Sequence, residues 1–243
     1  MASRARAVIE NVPGKVFVDA TCIDCDTCRQ IAPRHFTAAH DHSYVSSQPA
    51  TEADRKSAIH ALLSCPTSSI GTADHRGVAE TIADFPLPID GPVYYSGFNS
   101  KKSFGGNSWF VRDPRGNWLI DSPRWVPALA DRFAALGGIR YIFLTHQDDV
   151  ADADRYAKRF SAERIIHGAD SQAMPTAERL IDGRSPIAID DMLLIPTPGH
   201  TAGSCVALYQ GGYLFTGDHV WWNRKQGQLG ASRSYNWYSW IEQ

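Results

Sequence analysis

The sequence predicts an α+β protein of two unequal parts, a small cysteine-bearing unit followed by a larger strand-rich one. Three observations predict it. Three of the five cysteines lie within seven positions, Cys22 to Cys28, and a fourth, Cys65, stands directly before a proline. The stretch 84–92, Asp-Phe-Pro-Leu-Pro-Ile-Asp-Gly-Pro, carries three prolines and punctuates the chain. Beyond it, short apolar runs alternate with helical patterns. The expected division is therefore a cysteine-bearing unit over 1–83, a linker over 84–92 and a second domain over 93–243.

In the first unit, Lys15 to Ala20 reads as a short strand leading into the cysteines. Thr51 to Leu63 has an acidic start followed by Ala58, Ile59, Ala61, Leu62 and Leu63, and reads as a helix. In the second, strands are expected at 93–95, 108–112, 117–121, 140–145, 164–167, 192–196, 204–209 and 212–216. Helices are expected at about 125–136, 150–160 and 172–181.

The bulk numbers exclude several classes. A net charge of −2 offers no electrostatic footprint for nucleic acid or an anionic membrane surface. No apolar run approaches the roughly 18 residues that a membrane span requires. The first ten residues hold two arginines but no apolar core, so they do not read as a secretory signal. A cytoplasmic location is expected, or an organelle stroma for a photosynthetic eukaryote.

The spacing Cys22-x-x-Cys25-x-x-Cys28, with Cys65-Pro66 after 36 intervening residues, points to metal rather than to disulfides. Thiolates suit iron–sulfur clusters or zinc. Structural zinc ordinarily uses two separated cysteine pairs, which this chain lacks. Three cysteines at two-residue spacing let one loop hold three corners of a cubane, and the remote Cys-Pro closes the fourth. The segments Cys22 to Pro33 and Leu63 to Thr67 resemble a single-cluster bacterial ferredoxin over about residues 14–73. The resemblance implies one [4Fe–4S] cluster on Cys22, Cys25, Cys28 and Cys65, and one-electron transfer.

Four motifs carry a second resemblance: Asp121 at a strand end, Thr145-His146-Gln-Asp148-Asp149, Thr197-Pro-Gly-His200-Thr-Ala-Gly203, and Phe215-Thr-Gly-Asp218-His219. Their order and spacing are similar to the metallo-β-lactamase fold, an αββα sandwich with metal ligands on loops at one edge of its two sheets. The resemblance implies ligands at His146, Asp148, His200 and Asp218. It departs from the family's usual His-x-His-x-Asp-His, because Asp148 stands at the second histidine and Val150 and Ala151 at the Asp-His pair. The family's last histidine has no counterpart before Gln243, so the fold reads as short at its C-terminus. The losses fall together on the second-metal side, which favours one mononuclear site. His146, His200 and Asp218 match the iron triad of persulfide dioxygenases, and His146-x-Asp148 is similar to the His-x-Glu of flavodiiron proteins. Non-haem iron is the expected ion and hydrolytic zinc the alternative. The whole order also resembles ferredoxin–metallo-hydrolase fusions of cyanobacteria and plants.

Plainer roles compete at some positions. Asp149 and Asp152 are expected to charge-complement the helix that follows them. His219 is expected to be structural, Cys205 buried and inert in an apolar strand, and Trp221, Trp222, Trp237, Tyr238 and Trp240 to pack in a core or interface. The leading expectation is an oxidoreductase, with His146, His200 and Asp218 catalytic and the cluster passing single electrons. The alternatives are a metal-dependent hydrolase with a structural or sensing cluster, and a non-catalytic electron carrier or assembly factor. A redox partner protein and a small-molecule substrate are the expected partners.

Overall fold

The computed structural model describes residues 2–223 and 226–231. The first unit runs β1 (Val16–Val18), α1 (Thr27–Ile31), β2 (Phe36–Ala38), β3 (Ser43–Val45), α2 (Glu52–Ser64), β4 (Ile70–Thr72) and α3 (Val78–Thr81). β1 pairs with β4 and β2 with β3, both antiparallel. α2 starts where the Thr51 hydroxyl accepts from Asp54 N while the Asp54 carboxylate accepts from Thr51 N. Such a cap is worth about 1 kcal/mol. The unit's core is small: Val18, Phe36, Val45, Ala58, Ala61 and Ile70 pack beside Cys28 and Cys65.

The second unit runs β5 (Leu87–Asp90), β6 (Val93–Tyr95), β7 (Trp109–Val111), β8 (Trp118–Ile120), α4 (Pro127–Ala135), β9 (Tyr141–Phe143), α5 (Ala153–Phe160), β10 (Glu163–His167) and β11 (Arg179–Ile181). It continues with β12 (Ile187–Ile189), β13 (Met192–Pro196), β14 (Cys205–Tyr209), β15 (Tyr213–Phe215), β16 (Trp221–Asn223) and β17 (Gln228–Gly230). One sheet has the order β11-β10-β9-β8-β7-β6-β5, and a second has β12-β13-β14-β15. The strands from β8 to β11 pair in parallel, and those from β5 to β8 antiparallel.

Both faces of the large sheet are buried, so its central strands read as unbroken apolar runs. Leu119 and Ile142 turn to one side and meet Leu129, Phe133 and Tyr156 of the two helices. Trp118, Ile120 and Phe143 turn to the other and meet Met192, Leu194, Ala207 and Phe215 of the second sheet. The period of two along each strand thus sorts side chains into two cores. The result is the expected sandwich in helix–sheet–sheet order. Among the described residues no helix covers the outer face of the second sheet, where Leu214 is 54% exposed.

Two expectations are corrected. The stretch 172–181 is not a helix: a 3₁₀ turn spans Gly168–Ala173, and Arg179–Ile181 adds a parallel strand beside β10. Pro175 interrupts any helix there. Part of 84–92 is built into the large sheet as β5 rather than serving as a free linker. Its prolines are tolerated because β5 lies at the sheet edge. Phe85 is fully buried and joins a core that also holds Ile59 and Leu63 of the first unit. The two units therefore share apolar packing.

Trp221 and Trp222 form part of a short hairpin, and Trp222 is 59% exposed rather than packed in a core. Trp237, Tyr238 and Trp240 lie outside the described residues.

Candidate functional site

The cysteine loop is wound by two left-handed residues, Asp24 at φ 56° and Asp26 at φ 63°. Arg29 holds both carboxylates, at 2.6 Å from Asp24 and 2.5 Å from Asp26, which fixes the path between the cysteines. Cys22, Cys25, Cys28 and Cys65 all line one small cavity with Ile23 and Ile70. Ser43 N donates to Cys22 Sγ at 3.4 Å and Ser69 N to Cys65 Sγ at 3.3 Å. Burial pushes the Cys28 thiol up to about 12. Four thiolates gathered here would be costly without a cation, and an iron–sulfur cubane supplies that charge. The donor set fits the cluster.

The larger centre lies where loops follow β8, β9, β13 and β15. Asp121 directly follows β8 at φ 56°, a strained conformation for a non-glycine residue. Its fully buried carboxyl accepts from Thr145 N at 2.8 Å and from Thr145 Oγ1 at 3.0 Å. Thr145 Oγ1 lies 2.9 Å from His146 Nδ1. With its own proton committed to Asp121, that oxygen accepts from Nδ1–H, which leaves His146 Nε2 as a bare acceptor. Burial holds the His146 ring below the usual histidine range, hence neutral. His146 Nε2 is buried without a hydrogen-bond partner. Such an orphan is costly in a core and expected of a metal ligand.

Three further groups face that nitrogen. His200 Nε2 lies 3.3 Å from Asp148 Oδ2, and the ring beside it holds the Asp148 carboxyl below the ordinary range. Asp218 Oδ2 lies 3.9 Å from His146 Nε2 and 3.8 Å from His200 Nε2. Ligand atoms of His146, Asp148 and His200 all lie within 4.8 Å of one another. Gly217, at φ 50°, lets the chain turn against Thr145 on its way to Asp218, where a Cβ would collide with the Thr145 hydroxyl. His219 is half-buried beside His200. Cys205 is buried at 2% exposure in β14.

Two residues escaped the reading of the sequence. Asp149, expected as a helix cap, is 3% exposed and turned into the centre, where it forms a second ligand-like group with His146 and Asp218 within 4.8 Å. Burial and the nearby Asp121 and Asp218 carboxyls push it well above the ordinary range. Asp152 is the residue that precedes α5, and its carboxylate accepts from Trp125 N at 2.7 Å. Asp170 is 2% exposed and ties two ligand loops together. It accepts from Gln147 N at 3.0 Å, Thr201 Oγ1 at 2.5 Å and Gly203 N at 2.9 Å. No periodicity marks Asp170, since it sits in a short 3₁₀ turn, Gly168–Ala173, just ahead of the stretch expected to be helical.

The loop 99–107 separates the two centres. Gly105 lies so close to the cysteine loop that a Cβ on it would stand 2.7 Å from Cys25 Cβ. A Cβ on Gly106 would stand 2.5 Å from both Asp149 carboxylate oxygens. Asn99 pins the loop, donating to Thr27 Oγ1 at 3.2 Å and to the Gly105 carbonyl at 2.8 Å. One dipeptide thus touches a cluster cysteine on one side and the larger centre on the other.

Residues 18–72 match the 4Fe-4S single cluster domain of Ferredoxin I. No curated protein matches the chain. Solved structures similar to part of it include metallo-β-lactamases. One from Cronobacter sakazakii is 21% identical over 51% of this chain and 57% of its own, with a TM-score of 0.41. GOB-18 from Elizabethkingia meningoseptica is 20% identical over 51% and 54%, also at 0.41. The class B3 di-zinc enzyme LRA-12 from an Alaskan soil metagenome is 19% identical over 50% and 55%, at 0.40. The chain thus spans little more than half the length of these structures, and none of them passes its metal or substrate to it. The chain thus joins a segment that matches a single-cluster ferredoxin domain to a two-sheet sandwich. Among the described residues no helix is long and apolar enough to cross a membrane.

Proposed function

We propose that this chain is a redox protein in which the ferredoxin domain exchanges single electrons with one non-haem iron held by His146, His200 and Asp218, with Asp148 as fourth ligand. The observation that carries the reading is the shared wall: Gly105 against Cys25 and Gly106 against Asp149. Hydrolysis has no use for an electron source packed this closely, whereas oxygen or sulfur chemistry at iron does. Two histidines with carboxylates and open positions suit ferrous iron.

Iron bound there would supply one-electron chemistry and a site for a small oxidisable or reducible substrate. The protein's own part is positioning and charge. The Asp121–Thr145 pair orients His146 and keeps its Nε2 free of a proton. Asp148 and Asp218 contribute negative charge, which favours a cation over a neutral ligand. In the metal-free protein burial and the carboxyl neighbours disfavour a charge on Asp149, and a cation in the centre would favour it. A partner protein that delivers or removes the electrons belongs to the same proposal.

Metal analysis of anaerobically prepared protein tests it. The reading expects about five irons per chain, four in the cubane, and about four in a His146→Ala/His200→Ala variant with unchanged cluster absorbance. Zinc in place of the fifth iron would favour the hydrolase alternative. A double variant with the full iron content would remove the site.

A further inference from the structure

Arg124 is contributed by the sandwich, three residues after Asp121, yet its guanidinium ends on the cysteine unit. Nη1 donates to the Cys65 carbonyl at 3.1 Å and to the Asn99 carbonyl at 2.8 Å. Nη2 donates to the Leu63 carbonyl at 2.7 Å. The guanidinium carbon lies 5.4 Å from the Phe98 ring centroid. Its acceptors are all carbonyls, and among the described residues no carboxylate lies within ion-pair reach of it.

A half-buried arginine normally meets a carboxylate, because desolvating a cation without a counter-charge is costly. Cys65, whose carbonyl it holds, is one of the four cysteines assigned to the cluster. The cluster with its four thiolates is itself an anion, and that anion is the one large negative charge at this place. We infer that Arg124 is the cluster's counter-charge and sets its reduction potential upward from across the domain boundary.

The argument is electrostatic. Reduction adds one electron to the cluster, with no bond formed or broken and no proton moved. A fixed cation in a half-buried setting stabilises the reduced, more negative state more than the oxidised one. A plainer role competes with this. Cys65 is the C-cap of α2, and Arg124 satisfies carbonyls at that helix end, as basic groups do. Capping alone would affect stability and leave the potential where it was. The inference rests on the cluster, not on the ion in the larger centre.

The test is a mediated redox titration of the full chain, followed by the cluster's visible absorbance and its reduced-state EPR signal. Arg124→Gln removes the charge, Arg124→Lys keeps it with fewer donors, and Arg132→Gln removes an exposed cation from α4 as a control. At a fixed poise the Arg124→Gln protein is expected to show at least a tenfold lower ratio of reduced to oxidised cluster than wild type. For one electron that is a potential lower by about 59 mV. Arg124→Lys and Arg132→Gln are expected to stay within threefold of wild type. Arg124→Gln within threefold of wild type would overturn the inference, as would Arg124→Lys falling as far as Arg124→Gln. If Arg124→Gln fails to assemble a cluster, Arg124→Met, which also removes the charge, takes its place: a tenfold fall upholds the inference, and a ratio within threefold of wild type overturns it. A wild-type chain with no cluster would strike the cluster assignment instead.

Discussion

A carboxyl group at 3% exposure with two other carboxyls nearby, as at Asp149, is costly to ionise in the metal-free protein. Replacing it with the neutral isostere in Asp149→Asn is expected to leave the metal-free protein at least as stable by thermal unfolding. The same change is expected to weaken metal binding at the larger centre at least tenfold, read by competitive chelation. Greater stability with weaker binding is the usual mark of a functional group held at a cost. Gly106 is the neighbouring test. A methyl added there meets the Asp149 carboxylate at 2.5 Å. Gly106→Ala is expected to cost about 1–3 kcal/mol in denaturant unfolding and to lower occupancy of the larger centre while the cluster absorbance persists. The gathering of the four cysteines at one cavity was legible in the sequence because three of them share one loop. Asp149 was not, since a position four residues ahead of a helix reads as surface charge, and only the tertiary wall at Gly106 reveals that it points inward.

Among the elements, β10 and β11 show how local pattern and tertiary pairing compete. The run 172–181 has apolar residues at helical spacing, but Pro175 and the parallel partner β10 settle it as a turn and a strand. The edge is secured by Arg164 of β10, which is 8% exposed and grips the Glu178 carboxylate at 2.6 Å. That arginine holds Glu178 down at about 2 from its ordinary 4.5. Since the folded value lies below the unfolded one, the unfolded chain takes up the proton first. The contribution is fully present above about 4.5 and is lost as pH falls toward about 2. Glu178→Gln is expected to flatten the fall of unfolding free energy across that window in urea titrations at stepped pH. An unchanged slope would show that another group dominates the acid limb. The helices α2, α4 and α5 and the central strands, by contrast, were legible from local pattern, because each helix commits one face to a core and each central strand is apolar on both faces.

For the whole molecule, the resemblances supplied the two folds and their order but not the way they meet. The apolar cluster that joins Ile59 and Leu63 to Phe85 and Phe110, the Asn99 hydrogen bonds and the reach of Arg124 all depend on residues far apart in the chain. No local pattern encodes them. Their consequence is a protein whose two centres are separated by a single loop and not by a flexible tether. Electron exchange between them should then be intramolecular. Photoreduction of the cluster in protein carrying ferric iron at His146, His200 and Asp218, followed by recovery of the cluster's visible absorbance, tests this most directly. The account predicts a recovery rate independent of protein concentration and abolished in His146→Ala/His200→Ala. A rate that rises in proportion to concentration, or one untouched by the double variant, would contradict it.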